Sequence, residues 1–205
     1  MMVGPSLRRQ MESRLAAFTS QPVPSERSLR HAAVALVVVG EPEAPAHLLL
    51  TRRPLDVPRH PGQYALPGGR LEPGEGTSEA ARRELEEELG LETRPEDELG
   101  RLDDFVTRSG WRITPVVLFR PSPPPLRPDP REVAVVLHVP LRDLEGDVVH
   151  EEPTDDPARP VLWLDVLGDR VFAPTAAMML QFREVCLHGR GTRVAHYEQP
   201  RFAWR

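Results

Sequence analysis

Residues 69–91 read GRLEPGEGTSEAARRELEEELGL, and their spacing decides how the rest of the chain is read. Gly69 is followed after five residues by Glu75 and after seven more by Arg83 and Glu84; Leu85, Glu87, Glu88, Gly90 and Leu91 complete the run. Thr77 is placed to cap the start of a helix reaching Leu89, and Gly90 to end it. On such a helix Glu84, Glu87 and Glu88 stand at i, i+3 and i+4 and share a face. Ala81, Leu85 and Leu89 fall on a neighbouring face that can anchor the helix to a sheet. At about 4 Å each close carboxylate pair costs roughly 4 kcal/mol at an effective dielectric near 20, so the cluster calls for a cation. All-oxygen donors suit Mg²⁺ or Mn²⁺, which keep waters and take further ligands from phosphate oxygens. The competing reading is a solvated glutamate face steadied by pairs such as Arg82 with Glu86. The glycine turns and Glu75, at fixed offsets, favour the metal site.

The remaining composition sets bounds. The chain has 205 residues, 40% of them hydrophobic and 28% charged, which fits one domain with a real core. A net charge of −5 gives no broad attraction for nucleic acid, so an anionic substrate must be drawn in locally. All 26 basic positions are arginine; codon usage explains this, and phosphate-binding forks are an added use. Cys186 is the only cysteine. It falls in an apolar helix and reads as a buried, inert thiol, with no intrachain disulfide to form. The apolar run 32–39 is too short to span a bilayer, and the opening residues lack the order of a signal peptide. The expectation is a cytoplasmic protein without a membrane partner.

Along the chain, Leu7, Met11, Leu15 and Phe18 predict an amphipathic helix over 6–18. Strands are expected at 31–39 and 46–53, paired as a hairpin, then at 99–107 and 111–119, joined at Ser109-Gly110. Further strands are expected at 132–139, 148–151 and 161–165, a helical turn at 141–144, and an apolar helix at 175–187. Residues 63–66 lead into a sharp turn at Pro67-Gly68-Gly69. The organisation expected is an N-terminal helix and linker over 1–30, one catalytic domain over 31–190, and an aromatic tail over 191–205 docked back on it. Strands interleaved with a few helices indicate a mixed α+β sandwich.

The stretch 69–91 resembles the Nudix box, Gly-x5-Glu-x7-Arg-Glu-U-x-Glu-Glu-x-Gly-U with U aliphatic, at every defined position. The resemblance implies the Nudix fold, a mixed β-sheet between α-helices in an α/β/α sandwich. It implies Mg²⁺- or Mn²⁺-dependent hydrolysis of a nucleoside diphosphate linked to another moiety. By position Glu84, Glu87 and Glu88 correspond to the metal ligands, Arg83 to the residue that orients a box carboxylate, and Glu75 to its partner or a water-mediated metal contact. Glu87 is the first choice of base; Glu132, Glu151 and Glu152 are acids outside the box that would also serve.

The flanks resemble the coenzyme A diphosphatases of this superfamily. The shared residues are Leu49-Leu50-Thr51-Arg52-Arg53, Gly62, Leu66-Pro67-Gly68-Gly69, Ser109-Gly110, Glu132-Val133-Ala134 and Thr175-Ala176. The group's spaced arginine falls on Pro58, with Arg59 one position late, and its Phe is Leu66. Arg53, as a fork for phosphate, with Arg59 and His60 in a covering loop and Gly68 and Gly69, makes up the expected substrate-binding set. Trp111, Tyr197, Phe202 and Trp204 are aromatics available to stack on an adenine. The expected partner is a small nucleotide diphosphate, coenzyme A or a derivative, and the chain is compatible with a homodimer. Alternatives are ADP-ribose, NADH, a dinucleoside polyphosphate or an oxidised nucleotide as substrate, an isomerase of prenyl diphosphates, and a non-catalytic binding module.

Overall fold

A computed structural model describes the whole chain except residues 22, 24–28, 59 and 205 and the side chains of 203 and 204. The fold grows around β1 (Arg30–Gly40), whose seven central residues are all buried. Strand periodicity splits them between two faces. Ala33, Ala35, Val37 and Val39 belong to one cluster and Val34, Leu36 and Val38 to another. A strand covered on both sides reads as an unbroken apolar run.

Helix α1 (Pro5–Ala17) precedes this strand. After it come β2 (His47–Arg52), β3 (Tyr64–Ala65), β4 (Gly68–Arg70) and helix α2 (Thr77–Leu89). Next are β5 (Glu98–Arg101), β6 (Phe105–Val106), β7 (Trp111–Pro121) and β8 (Val135–Pro140). The strands β9 (Val149–Glu152), β10 (Val161–Val166) and β11 (Asp169–Phe172) and helix α3 (Thr175–Phe182) follow. β1 to β8 form one mixed sheet, and β9 to β11 form a smaller antiparallel one. β1 and β7 pair in parallel from Arg30↔Trp111 to Gly40↔Pro121, while β2 and β4 flank β1 antiparallel. Helix α2 packs Ala80, Ala81, Leu85 and Leu89 on one face of the large sheet. Leu7, Met11 and Leu15 of α1, together with α3 and the small sheet, cover the other. The large sheet thus lies between helices.

Several expectations need correction. The cap of α2 is Gly76, not Thr77: Glu79 accepts a hydrogen bond from the Gly76 N–H at 2.7 Å. Gly90 ends the helix with φ 63. The strand expected at 99–107 is broken into β5 and β6. Pro115 of β7 has no N–H to offer the ladder, and the intervening acids turn elsewhere. Asp103 takes Gln181 at 2.7 Å and Arg193 at 2.7 Å, and Asp104 takes Arg112 and Thr114 at 2.6 Å. Residues 63–70 are two short strands rather than a plain turn. Strand β11 was not anticipated, because Leu167 with Gly168 makes its two-residue hairpin, at φ 56 and 87. Asn or Gly usually signals such a turn. Helix α3 stops at Phe182, and residues Arg183–Leu187 continue as a wider π turn. Among the described residues no helix is long and apolar enough to cross a membrane.

Residues 194–199 return to the body. Tyr197, Glu198 and Gln199 are buried, and the Glu198 N–H donates to Pro160 O at 2.8 Å. The Glu198 carboxylate accepts from Arg108, lies 3.6 Å from Arg159 and accepts from the Gln199 N–H at 2.9 Å. The Arg108 hydrogen bond holds this carboxyl below the usual glutamate range, against the opposing effect of burial. A depressed native pKa contributes stability above the unfolded pKa and loses it as pH falls through the native one. Glu198→Gln is therefore expected to melt roughly 2–4 °C lower than wild type at pH 7. Thermal melts from pH 7 to 3 should show that gap close in the acid range; a gap independent of pH would refute the ionic role.

Candidate active site

Strand β4 is the backbone of the site. It pairs with β1 through Val34↔Gly68, Ala33↔Gly69 and Ala32↔Arg70. At Gly68, with φ 154, a Cβ would fall 2.3 Å from Ala33 O, so only glycine lets the strands approach so closely. At Gly69 a Cβ would fall 2.3 Å from Glu84 Oε1. The missing side chains thus bring β4 against β1 on one side and against a carboxylate of α2 on the other.

Arg83 organises the helix face. Its Nε and Nη2 donate to the two oxygens of Glu75 at 2.9 and 3.2 Å, and its Nη1 donates to Glu84 at 2.9 Å and Glu87 at 2.8 Å. A bond from Nη2 to Arg70 O at 3.1 Å makes five contacts, matching the five N–H groups of guanidinium. The Glu75 carboxyl is held below its ordinary range, first by Arg83. These contacts raise the Arg83 pKa further, the Glu75 bond contributing most.

The three box glutamates do not share one environment. Glu87 points outward, with its side chain 58% exposed. Glu84 is drawn inward, and burial raises its pKa although Arg83 opposes the shift. Glu88 is only 6% exposed. Burial pushes its carboxyl up to about 8, and the charges of Glu84 and Glu132 add to this. The Gly68 N–H, 3.4 Å from Glu88 Oε1, and the charge of Arg53 act the other way. Glu132, just before β8, acts on both Glu84 and Glu88. Glu132, although itself exposed, is therefore near the box acids, whereas Glu151 accepts from Tyr197 at 2.8 Å and Glu152 lies 3.9 Å from Arg170 on the small sheet.

The donor set Glu84, Glu88 and Glu132 is all-oxygen and mutually repulsive, which suits a hard divalent cation. The buried Glu88 carboxylate is under-compensated by protein cations, because Arg83 is committed to Glu75, Glu84 and Glu87. Among the described residues no three acidic or imidazole donors already stand in ligating geometry. Glu84 is tied to Arg83 and would have to turn from it to share an ion with Glu88. The residues fit such an ion in kind and in charge, and Glu87 is the one that faces away.

Beside this face opens a cleft of about 410 Å³ on the side of β1 that carries Ala32 and Val34. Arg53, His60, Gly68 and Gly69 line it, and Arg59 lies outside the described residues. Arg53 has its Nε buried without a hydrogen-bond partner, and its charge reaches Glu88, so it stands between cleft and carboxylates. His60 adopts φ 52. Trp111 lines the cleft. Tyr197 is instead bonded to Glu151, and Phe202 packs edge-on against Phe172 with ring centroids 5.2 Å apart. Sequence reasoning missed Tyr64 and Gln199, which also line the cleft. Nothing local marks either: the Tyr64 hydroxyl donates to Asp169 at 2.6 Å, and Gln199 accepts from the Arg108 N–H at 2.9 Å, both contacts between distant segments.

Known proteins share this fold. The uncharacterized Nudix hydrolase NudL of Photorhabdus laumondii is 38% identical over 115 residues, covering 56% of this chain and 60% of that one. Its namesake in Yersinia enterocolitica is 35% identical over 130 residues, covering 63% and 66%. The chain thus spans about three-fifths to two-thirds of the length of the curated relatives it matches. Among solved structures, a MutT/nudix family protein from Enterococcus faecalis aligns with a TM-score of 0.55 at 16% identity, over 90% of this chain and 75% of that one. The Nudix hydrolase RenU from M. smegmatis aligns at 0.51 and 22%, over 78% and 86%. At these identities the likeness is one of fold. The NUDIX domain family matches residues 29–167, well over half of the chain, and with the fold this places the protein in the Nudix family.

Proposed function

We propose that this protein is a divalent-metal-dependent pyrophosphohydrolase acting on a nucleoside diphosphate linked to another moiety. The observation that supports this best is the crowding of Glu84, Glu88 and Glu132 beside two glycines that leave the β4 backbone bare. A basic-edged cleft adjoins them. Glu84 and Glu88, with Glu132 or Glu87, would hold Mg²⁺ or Mn²⁺. Such an ion, when bound, supplies charge neutralisation of the phosphate and acidification of a water.

The chain's own groups do the positioning. Arg83 keeps Glu75, Glu84 and Glu87 in place. Gly68 and Gly69 would admit a diphosphate close to the backbone, and Arg53, which lines the cleft, would offer it a charge-assisted donor. Glu132 is the carboxylate we take to accept a proton from the attacking water; Glu87 would do so only by turning inward from Arg83. Coenzyme A or a derivative is the substrate we favour, because the stretch Leu49–Arg53 shared with that group carries Arg53 into the cleft. A turnover screen with Mg²⁺ and Mn²⁺ over coenzyme A, dephospho-coenzyme A, NADH, ADP-ribose, diadenosine polyphosphates and 8-oxo-dGTP tests the reading. Absence of turnover on all of them would favour a binding module.

Three variants probe the machinery. Glu88→Gln keeps the size of a buried side chain but removes its charge. It is expected to lower kcat at least about a hundredfold, since a metal contributes several kcal/mol, while circular dichroism and melting stay near wild type. Near-normal turnover would rule out Glu88 as a metal ligand. The two glycines should part company. In Gly69→Ala the new methyl meets only the side-chain end of Glu84, which can swing aside at the cost of its Arg83 bond, so folding should persist while activity falls about tenfold or more. In Gly68→Ala it meets the Ala33 carbonyl at an unfavourable φ, so stability should fall first, by more than ~1 kcal/mol in urea melts.

A further inference from the structure

The cleft has a second end, away from the carboxylates, and the hairpin between β6 and β7 builds it. Thr107, Ser109 and Trp111 line this end, with Ile113 and Met178 beside them. Among the described residues, none of those lining the cleft is acidic, in a chain with 31 acidic residues.

The backbone of Trp111 is fixed within the hairpin. Its backbone N–H donates to Thr107 Oγ1 at 3.0 Å, and its carbonyl accepts from the Thr107 N–H at 2.8 Å. The Arg30 guanidinium lies over the indole, 4.3 Å from the ring centroid. Arg30 is itself tied at both ends: Nη2 donates to Ser109 O at 2.6 Å and the backbone N–H to Gly110 O at 3.0 Å. One face of the indole therefore carries a fixed cation, which is bonded to the same hairpin. A large amphipathic ring immobilised in this way needs little ordering when a flat partner arrives.

We infer that the indole of Trp111, backed by Arg30, is the platform on which the substrate's nucleobase stacks, making Trp111 the residue that selects for a nucleotide. The inference rests on the hydrolase reading only in taking the cleaved diphosphate to lie at Gly68–Gly69. The volume of about 410 Å³ is within the range of small-molecule sites. Thr107 and Ser109, whose hydroxyls are hydrogen-bonded to each other at 3.1 Å, line the cleft with the ring, and Val34 and Ile113 add apolar lining. A neutral, planar heterocycle with polar edges suits both. Its phosphate would then point along the cleft toward Arg53, the side on which Glu88 lies. Arg53 and Trp111 thus fix opposite ends of a nucleoside monophosphate, the charged end and the flat one.

The test is calorimetric titration of the full chain in EDTA with AMP and, as a probe without a base, ribose 5-phosphate. Wild type is expected to bind AMP at least about tenfold more tightly than ribose 5-phosphate, because stacking a base on an aromatic is commonly worth that much. Trp111→Ala is expected to remove the difference, Trp111→Phe to restore most of it, and Trp111→Leu to fail although it keeps apolar bulk. Melting curves of the three variants guard against misfolding, and the Phe variant, which keeps ring and packing, remains informative if the Ala variant is unstable. Equal binding of AMP and ribose 5-phosphate, no AMP binding at millimolar concentration, or Leu performing as well as Phe would each overturn the inference. On any nucleotide that proves to be turned over, Trp111→Ala should raise KM with kcat within about twofold. The two readings fail separately. Trp111-dependent AMP binding by a protein that hydrolyses nothing would spare this inference and sink the hydrolase. Turnover with a KM indifferent to Trp111 would do the reverse.

Discussion

The site depends on a strand that has no side chains where two neighbours press on it. Gly68 lies so close to β1 that a methyl would strike the Ala33 carbonyl, and Gly69 lies so close to α2 that a methyl would strike the Glu84 carboxylate. Hard-sphere exclusion sets both contacts, and no amount of hydrophobic burial could relax them. Because β4 is thin, a helix on one face of the large sheet and a cleft on the other share the same few backbone atoms. The carboxylates of α2 would otherwise be separated from the cleft by a layer of side chains.

Arg83 turns that proximity into order. Like-charged groups gathered at one point would splay apart, and the guanidinium holds three of them with four hydrogen bonds, its fifth going to the Arg70 carbonyl. It leaves Glu88 out. That carboxylate is the most buried of the box and the furthest from its ordinary pKa. Perturbed acids at the edge of a cleft are a recurring mark of functional sites. Here the perturbation has a plain cause, namely burial that one long hydrogen bond from Gly68 and the charge of Arg53 do not offset.

Much of this could be read before any coordinates. The box helix, its Gly90 stop, the β1–β2 hairpin and the β6–β7 turn at Ser109-Gly110 all follow from periodicity and turn chemistry. What could not be read depended on partners far along the chain. The break between β5 and β6 lies opposite Pro115, and acids that look like strand residues are claimed by Gln181, Arg193, Arg112 and Thr114. Helical spacing put Glu84, Glu87 and Glu88 on one face, but could not tell that Glu87 would lean out to Arg83 while Glu88 sank beneath Gly68. Glu132 was visible only as an acid near a strand, because nothing in its neighbours says that β8 delivers it to the box. The β10–β11 turn hid behind Leu167, which adopts the backbone angles of an asparagine or glycine.

The tail contact ties one wall of the cleft to a segment distant in sequence from the others. The cleft takes residues from Ala32 onward, but Gln199, fixed through Arg108 and its neighbour Glu198, also walls it. Val194 and Tyr197 lie in the same core cluster as Val34 of β1 and Met178 of α3. A domain generally folds as a unit, so loosening the tail would open the cleft and weaken the core together.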